Sequence, residues 1–521
     1  MTAVVNHIID KVLVDVNLRN EKTAHSIKNS ISTFLQNEVF PELESLLDEL
    51  NAGNQIIRYE RIAFDLQIEN WEQRHQLKKE LVNHLRQTIV ESLGVKVPQT
   101  GERWRLDGTG KIHNTDLHGE FVGPAQNNRN TLLFFLEHAY LPWYGKRTGL
   151  EDTMEPDTWN ETINDTTFHE QVISLLQKND SALQRFVFQF PNSRLLSFLT
   201  INKNVFSDRS GVEKFLNTLS GKAQKLLIEY LLRISITSEK AVLKEKWLQL
   251  FYCFQQESII SSFRNSDKAD VERINTELKT KPGKYLINAV VNRYFQITEE
   301  DIKDKTGFER EKPENPEIKR FTQPKGSIIE KGPTVISKGS VRADSEKEPL
   351  FFGNHAGEIA VRNAGQVLFH PFLKNFFEQF NWLNNKGKIK KEYRMQALQA
   401  VHFCATGTET FWEDEMILEK FLCGIPLQTP VPSFSLLTSE IKTEAGEMLQ
   451  QLVGNWKALK NTSVEGMREM FFQRDGKLIQ TDKNFKLIVE RKAQDILLDK
   501  LPWGVSIIKL PWRGQLLFVE W

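Results

Sequence analysis

Hydrophobic residues recur along this chain with two periods, one typical of strands and one typical of helices. Apolar residues occupy every second position over 12–16 and again over 62–68, and such alternation predicts strands. Each run is followed by a segment whose apolar residues stand four positions apart, as along the buried face of a helix. The chain therefore opens with a predicted strand-helix-strand-helix pattern.

The two halves of this pattern match each other at a fixed offset along the chain. The matched pairs are Asp15 with Asp65, Ile27 with Leu77, Ile31 with Leu81, Leu35 with Leu85, and Val39 with Ile89. We interpret residues 1–99 as a domain of two duplicated β-α units that share a small sheet, with both helices on one side. Two unrelated amphipathic segments are the alternative.

The middle of the chain is predicted to be mainly helical. Glycines and Pro124 crowd residues 101–124, so we expect a loop-rich connector over 100–164 with one helix at 131–140. From 165 to 298 apolar residues recur at intervals of three and four, and glycine is scarce. This pattern predicts an all-helical domain, with breaks near Asn192 and Ser220.

Residues 299–350 have a different composition from the rest of the chain. Charged and turn-forming residues dominate, and Pro313, Pro316, Pro324 and Pro333 are spread among them. Such a segment buries too little apolar surface to offset the entropy lost on ordering. We therefore predict a flexible linker.

The remainder, 351–521, is predicted to be a C-terminal α+β domain. Helical spacing marks 367–383, 391–404, 412–421, 438–459 and 463–473. Alternating segments follow, and Asp475-Gly476 is a turn signal beside them. The expected fold class of the whole chain is α+β and mostly α-helical, with a small terminal sheet.

Residues 501–521 are strongly apolar and contain the tripeptide Leu-Pro-Trp twice, at Leu501 and at Leu510. A strand is predicted between the two copies, over 505–510. An apolar end of this kind is expected to be tied into a core or a partner. Trp503, Trp512 and Trp521 are therefore the candidate partner-binding residues.

Composition excludes several classes of protein without naming one. Hydrophobic residues make up 40% and charged residues 26% of the 521 positions, as in ordinary globular proteins. The 68 basic residues balance 68 acidic ones, so no overall field is expected to attract nucleic acid or an anionic membrane. Neither a spanning helix nor a signal peptide is predicted. The three cysteines are widely separated, which favours a reducing compartment, and we expect the cytoplasm. They are Cys253, Cys404 and Cys423.

Candidate metal ligands are few. His113, Asp116 and His118 lie within six residues on a predicted loop, and imidazole and carboxylate groups suit zinc. A metal-dependent hydrolase that uses them is a remote alternative, since polar loop residues explain the same pattern. We predict no catalytic, cofactor-binding or metal-binding residue.

Two other groups of residues suggest chemistry at first sight. His402 and Cys404 are close in sequence, but such near neighbours on a helix do not face each other. Residues 386–391 include four lysines without interleaved aromatic residues, so a solvated loop is favoured over a nucleic-acid site.

Several segments together resemble the tape measure protein family of contractile injection systems, the phage-tail-like particles that some bacteria build. The segments are HIIDK from His7, RIAFDL from Arg61, LLFFLEHAYLPWYG from Leu132, NAGQVLFHPFL from Asn363, LCGIPL from Leu422, WKALKNTSVEGMREMFFQRDGKL from Trp456, LPWGVSIIKLPW from Leu501 and FVEW from Phe518. They touch both ends of the chain, whereas 165–350 carries little of the resemblance.

The resemblance implies a non-enzymatic structural role. A tape measure fixes tube length while tube subunits polymerise between a baseplate and a cap, so the expected partners are tube, baseplate hub and cap or terminator proteins. The expected location is the cytoplasm during assembly and the assembled particle afterwards, and an oligomer is compatible with this role. An assembly scaffold or chaperone absent from the mature particle, or a general protein-interaction module, are alternatives. No cofactor is implied.

Overall fold

The structure is a computed structural model in which the chain divides into two compact units, Met1–Phe186 and Val187–Trp521. It describes residues 7–9, 12–14, 16, 27, 30–49, 56–59, 61–63, 66, 71–92, 119–145, 147–201, 213, 216–217, 219–236, 242, 246, 351, 357–459, 462–481 and 483–521. These residues are mostly helical, with a small mixed sheet near the C-terminal end, which confirms the coarse fold class. The domain boundaries drawn from the sequence stay predictions.

The first unit contains seven helices and two strands among its described residues. The helices are α1 (Phe40–Glu49), α2 (Arg74–Ser92), α3 (Pro124–His138), α4 (Arg147–Met154), α5 (Pro156–Asn164), α6 (Thr166–Lys178) and α7 (Asp180–Gln189). A π-helical segment, Leu35–Val39, leads into α1, and α7 runs across the boundary into the second unit. Strand β1 (Ile56–Tyr59) pairs antiparallel with β2 (Gly119–Val122).

Both predicted N-terminal helices are confirmed, and their apolar faces pack together. The buried cluster consists of Phe34, Val39, Leu43, Leu46, Leu85, Ile89 and Val90. Ion pairs flank it: Lys78 Nζ lies 3.1 Å from Glu42 Oε1, and Arg86 Nη2 lies 2.5 Å from Glu49 Oε2. Because residue numbers rise together along both helices, these two helices run parallel.

The duplicated β-α units are not confirmed. The strand before α2 lies at Ile56–Tyr59, ahead of the predicted run, and its partner is β2. Val12, Val14 and Val16 carry no strand assignment, and these side chains are 42–49% exposed. The physical reason is that alternation produces a strand only where a neighbour supplies backbone partners. Among the described residues, no such neighbour pairs with this run.

Three helices, α3 to α5, occupy residues for which the sequence predicted a connector with one helix at 131–140. Helix α3 begins at Pro124, since the fixed φ and missing N–H of proline suit the first helical position. It ends before Ala139, which has a φ of 68°. Phe135 and Leu136 are fully buried, and the buried Arg185 guanidinium donates to the Leu136 carbonyl. The segment therefore belongs to a packed core.

The second unit contains the remaining helices. They are α8 (Asn192–Ile201), α9 (Gly221–Ile236), α10 (His370–Gln379), α11 (Arg394–Thr406), α12 (Ile417–Leu422), α13 (Ser439–Asn455) and α14 (Val464–Met467). Shorter turns extend several of them, among them the 3-10 segments Ala364–Phe369 and Glu413–Met416 and the π-helical segment Arg468–Phe472. Helices α6 to α9 lie within the predicted helical middle, whose extent as a domain stays a prediction. Residues 247–298 and the predicted linker 299–350 lie outside the described residues.

A five-stranded sheet completes this unit. Its strands are β3 (Glu358–Val361), β4 (Gly476–Gln480), β5 (Phe485–Val489), β6 (Ile507–Ile508) and β7 (Leu517–Glu520), in the spatial order β3-β4-β5-β7-β6. All neighbours are antiparallel except β5 and β7, which are parallel. This confirms the predicted small sheet.

Gly476 does not serve the predicted turn. It lies in β4, and a Cβ atom there would stand 2.6 Å from both the Ala364 Cβ and the Ile488 carbonyl oxygen. Glycine is needed because two other segments approach its backbone closely. The connection between β4 and β5 follows Gln480 instead, and the Thr481 amide donates to the Asn484 carbonyl at 2.9 Å.

Candidate interaction surface in the C-terminal domain

Trp512, the second tryptophan of the Leu-Pro-Trp repeat, is part of the core. Its indole Nε1 donates to the Leu422 carbonyl at 2.6 Å, and its ring packs against Phe377 with the centroids 5.1 Å apart. An indole N–H that finds a backbone acceptor can be buried without the cost of an unpaired donor. Trp512 therefore ties residues 510–513 to α10 and α12.

Trp503 and Trp521 are half-buried and also hydrogen-bonded within the second unit. Trp503 Nε1 donates to the Leu368 carbonyl at 2.9 Å, while its ring meets Phe372 edge to face. Trp521 Nε1 donates to Asp495 Oδ2 at 3.0 Å. The apolar end of the chain thus packs into its own domain. Partner binding by these tryptophans stays a prediction.

Asp495 is the polar centre of the C-terminal contacts. Besides Trp521, it accepts from the Lys492 amide at 2.7 Å and from Arg474 Nη2 at 3.0 Å. Arg474 is fully buried and also donates to the Met470 carbonyl. A buried ion pair is tolerated only when its donors and acceptors are hydrogen-bonded. This network therefore fixes the position of Trp521 relative to Arg474 and Lys492. No periodicity in the sequence signals it.

A second buried ion pair lies where the end of α7 meets the domain. Lys420 Nζ lies 2.6 Å from Glu413 Oε1 and also donates to the Leu427 carbonyl, and both charged side chains are fully buried. The side-chain amide of Gln189, at the end of α7, bridges Glu413 and Val431. It accepts from the Glu413 backbone N–H at 2.8 Å and donates to the Val431 carbonyl at 2.9 Å. The helical middle and the C-terminal domain therefore meet through polar contacts within the second unit.

The cysteines of this domain are buried. Burial raises the pKa of the Cys404 thiol to about 12, with the Arg468 guanidinium opposing part of that rise. Burial, and then the Glu419 carboxylate, raise the pKa of Cys423 well above its usual range. His402 Nδ1 contacts Glu419 Oε1 at 3.1 Å inside the core. Thiols of this kind are poor nucleophiles, because the thiolate is the reactive form.

We expect both thiols to be inert in the folded protein. A Cys253→Ser variant should react with a disulfide reagent at mildly alkaline pH only after unfolding, when Cys404 and Cys423 regain ordinary pKa values. The measurement is the number of protein thiols that react with the reagent in the presence and in the absence of guanidinium chloride. Rapid reaction of a thiol in the folded protein would contradict this expectation and would support a reactive pair of Cys404 with His402.

A row of aromatic side chains runs along α10. Phe372, Phe376 and Phe380 stand four positions apart and so share one face of the helix. Trp503 packs at one end of this row, with its centroid 5.4 Å from that of Phe372. At the other end, Phe380 stacks on Trp382 at 5.1 Å. Phe372 and Phe380 remain half-exposed, so part of this face meets solvent.

The four-lysine run lies at the end of this row. Residues 382–390 form a tight loop in which Leu383 bridges Ile389, and Trp382 and Ile389 are buried. Lys390 Nζ lies 5.7 Å from the centre of the Tyr393 ring. Tyr393 in turn stacks on Trp382 at 6.3 Å. The aromatic neighbours of the lysines are thus Trp382 and Tyr393, which flank the run in the sequence, and Trp382 is buried.

The described residues contain no group of three or more His, Cys, Asp or Glu side chains placed to hold a metal ion. His113, Asp116 and His118, the candidate zinc ligands, lie outside these residues. None of the helices in the described part of the chain combines the length and apolar content needed to cross a bilayer.

Comparison with known proteins gives a single positive result. Searches of curated protein sequences and of solved structures find no match. The sequence profile of the contractile injection system tape measure proteins matches residues 6–521. That match includes the helical middle, where recognisable segments are sparse, as well as the C-terminal domain described above. The chain belongs to the contractile injection system tape measure protein family.

Proposed function

We propose that this protein sets the length of the inner tube during assembly of a contractile injection particle, and that its C-terminal domain docks on the particle's other subunits. The observation that carries the proposal is the family match over residues 6–521. The tight packing of the C-terminal domain supports it, because a ruler needs an end of fixed geometry.

The described helices constrain how such a ruler works. The longest runs 19 residues, Arg74–Ser92, which corresponds to about 28 Å at the helical rise of ~1.5 Å per residue. None of the helices in the described part of the chain is therefore long enough to measure a tube by itself. The hydrogen bonds of Gln189 to Glu413 and Val431 hold one end of the helical middle to the C-terminal domain.

The partners we propose are the tube, baseplate hub and cap or terminator proteins, met in the cytoplasm while the particle grows. In this role the protein transforms no substrate and needs no cofactor. An assembly scaffold that leaves the finished particle is the second candidate, favoured by the folded character of the described segments.

We expect the length of residues 165–350 to determine particle length. Deleting the predicted linker, 299–350, should shorten the particles, by about 80 Å if those residues contribute the helical rise of ~1.5 Å each. Inserting a second copy of the same segment should lengthen them to a similar extent. Electron microscopy of purified particles measures both changes.

The alternatives give different results in the same experiment. Loss of particles without any change in the length of those that form indicates a scaffold. Normal yield at unchanged length contradicts the ruler. Co-purification with unrelated cytosolic proteins, and not with tube or baseplate subunits, indicates a general interaction module, whereas a stoichiometric metal lost on His113→Ala would support the hydrolase.

A further inference from the structure

We propose that the basic loop 382–394, together with the half-buried aromatic face of α10, is a docking surface for an acidic polypeptide segment of a partner subunit. The inference rests on the proposed structural function and adds the chemistry of one partner. Its residues come from the continuous stretch 372–394, apart from Trp503, which the fold brings against Phe372.

The first argument is charge. The stretch 379–408 contains five lysine or arginine residues and a single carboxylate, that of Glu392, in a chain whose total charge is balanced. None of Lys386, Lys388, Lys391 and Arg394 has a carboxylate partner among the described residues. Elsewhere in this domain lysines are commonly paired, as Lys420, Lys442 and Lys477 are. A local excess of unpaired cations attracts acidic partners and steers their approach.

The second argument is rigidity. The Asn384 side-chain oxygen accepts from the amides of Lys386 and Lys388, at 2.9 and 3.0 Å. Gly387 has a φ of +70°, a conformation that favours glycine, and its amide donates to the Asn384 carbonyl at 2.8 Å. The Lys390 amide donates to the carbonyl of the buried Trp382 at 2.8 Å, so the lysines of the loop are presented on an ordered support. Preorganisation reduces the entropy lost on binding.

The third argument is the apolar surface beside the charges. Phe380 and Tyr393 are half-buried next to the loop, and Phe372 and Trp503 continue the row along α10. Phe372 and Phe380 are eight residues apart, so this row extends about 12 Å at the helical rise of ~1.5 Å per residue. An extended segment of four or five residues spans that distance. The surface therefore fits a short peptide that carries both carboxylates and apolar side chains.

A protein segment fits this surface better than a nucleic acid does. Single strands bind where aromatic faces are free for bases to stack on. Here the Trp382 ring is buried between Phe380 and Tyr393, with centroid distances of 5.1 and 6.3 Å. An acidic peptide needs only the exposed ammonium groups and the half-buried ring edges.

The test uses the full chain and a labelled synthetic peptide of alternating glutamate and phenylalanine, followed by fluorescence anisotropy at low salt. The triple variant Lys386→Glu, Lys388→Glu, Lys391→Glu should weaken binding at least about tenfold. The matched control is Lys457→Glu, Lys483→Glu, Lys500→Glu, which reverses three exposed lysines elsewhere in the same domain. It should change binding by less than about twofold. Equal weakening by both variants, or tighter binding of an oligothymidylate of the same length, overturns the inference.

Particle assembly separates failure of this surface from failure of the proposed function. If removal of the whole chain leaves particles normal, the proposed function is wrong. If removal abolishes particles while the 386/388/391 variant assembles at full yield, only the docking surface is wrong. We expect loss of particles in both cases and full yield with the 457/483/500 variant.

Discussion

Replacing Gly365 with alanine is expected to prevent the C-terminal domain from reaching its native packing. A Cβ at this position would lie 1.6 Å from the Phe471 carbonyl oxygen and 3.0 Å from Cη2 of Trp521. The clashing Phe471 oxygen belongs to the backbone of the π-helical segment Arg468–Phe472. It cannot move away by a change of rotamer, as a side-chain atom could. We expect a loss of about 4 kcal/mol or more in the free energy of unfolding. Hydrogen exchange of the amides in β4 and β5 measures it.

Gly446→Ala is the matched control for this substitution. Gly446 lies inside α13, and nothing stands within 4 Å of the added Cβ. Alanine there should stabilise the domain by about 0.5–1 kcal/mol, because glycine loses more backbone entropy in a helix. If the two variants had similar stability, Gly365 would not be a site of close backbone approach.

Lys420→Met is expected to cost about 3–5 kcal/mol of domain stability, because it leaves the Glu413 carboxylate buried without its counter-charge. Glu413 is fully buried, and its carboxylate also accepts from the Val431 amide at 3.3 Å. Adding Glu413→Gln should recover part of the loss, since the amide removes the stranded charge. Urea unfolding monitored by tryptophan fluorescence measures both variants.

The pair Lys442–Glu409 provides the comparison. Its N–O distance is a similar 2.8 Å, but the two side chains are 34% and 35% exposed. Lys442→Met should therefore cost less than about 1 kcal/mol, because water already screens that pair. A Lys420→Met variant no less stable than Lys442→Met would show that burial does not determine the strength of the Glu413 pair.

Helices were the part of this fold that sequence could predict. The four-residue spacing of Leu77, Leu81, Leu85 and Ile89 correctly marks α2, and the helix predicted over 367–383 contains α10. A helix needs only its own residues to satisfy its backbone, so local spacing is enough to find it. Pro124 was misread as loop because proline also begins helices.

Strand pairing and buried polar contacts could not be predicted in the same way. Val12, Val14 and Val16 have strand spacing, yet pairing depends on a distant neighbour. Gly476 looked like a turn residue because the approach of Ala364 and Ile488 is invisible in the local sequence. The Gln189–Glu413 bridge joins residues far apart in the chain. The same holds for the proposed docking surface, where Trp503 and the basic loop meet through α10.

The parallel pairing of β5 and β7 has a consequence for how the domain forms. One edge of β5 (Phe485–Val489) pairs with β4, and its other edge stays uncovered until β7 (Leu517–Glu520) has folded back alongside it. Long-range parallel pairing of this kind closes slowly compared with a hairpin. In the interval, the corresponding strand of another molecule competes for the same edge. The yield of correctly closed domain therefore depends on how crowded the folding chains are, as well as on the stability of the final fold.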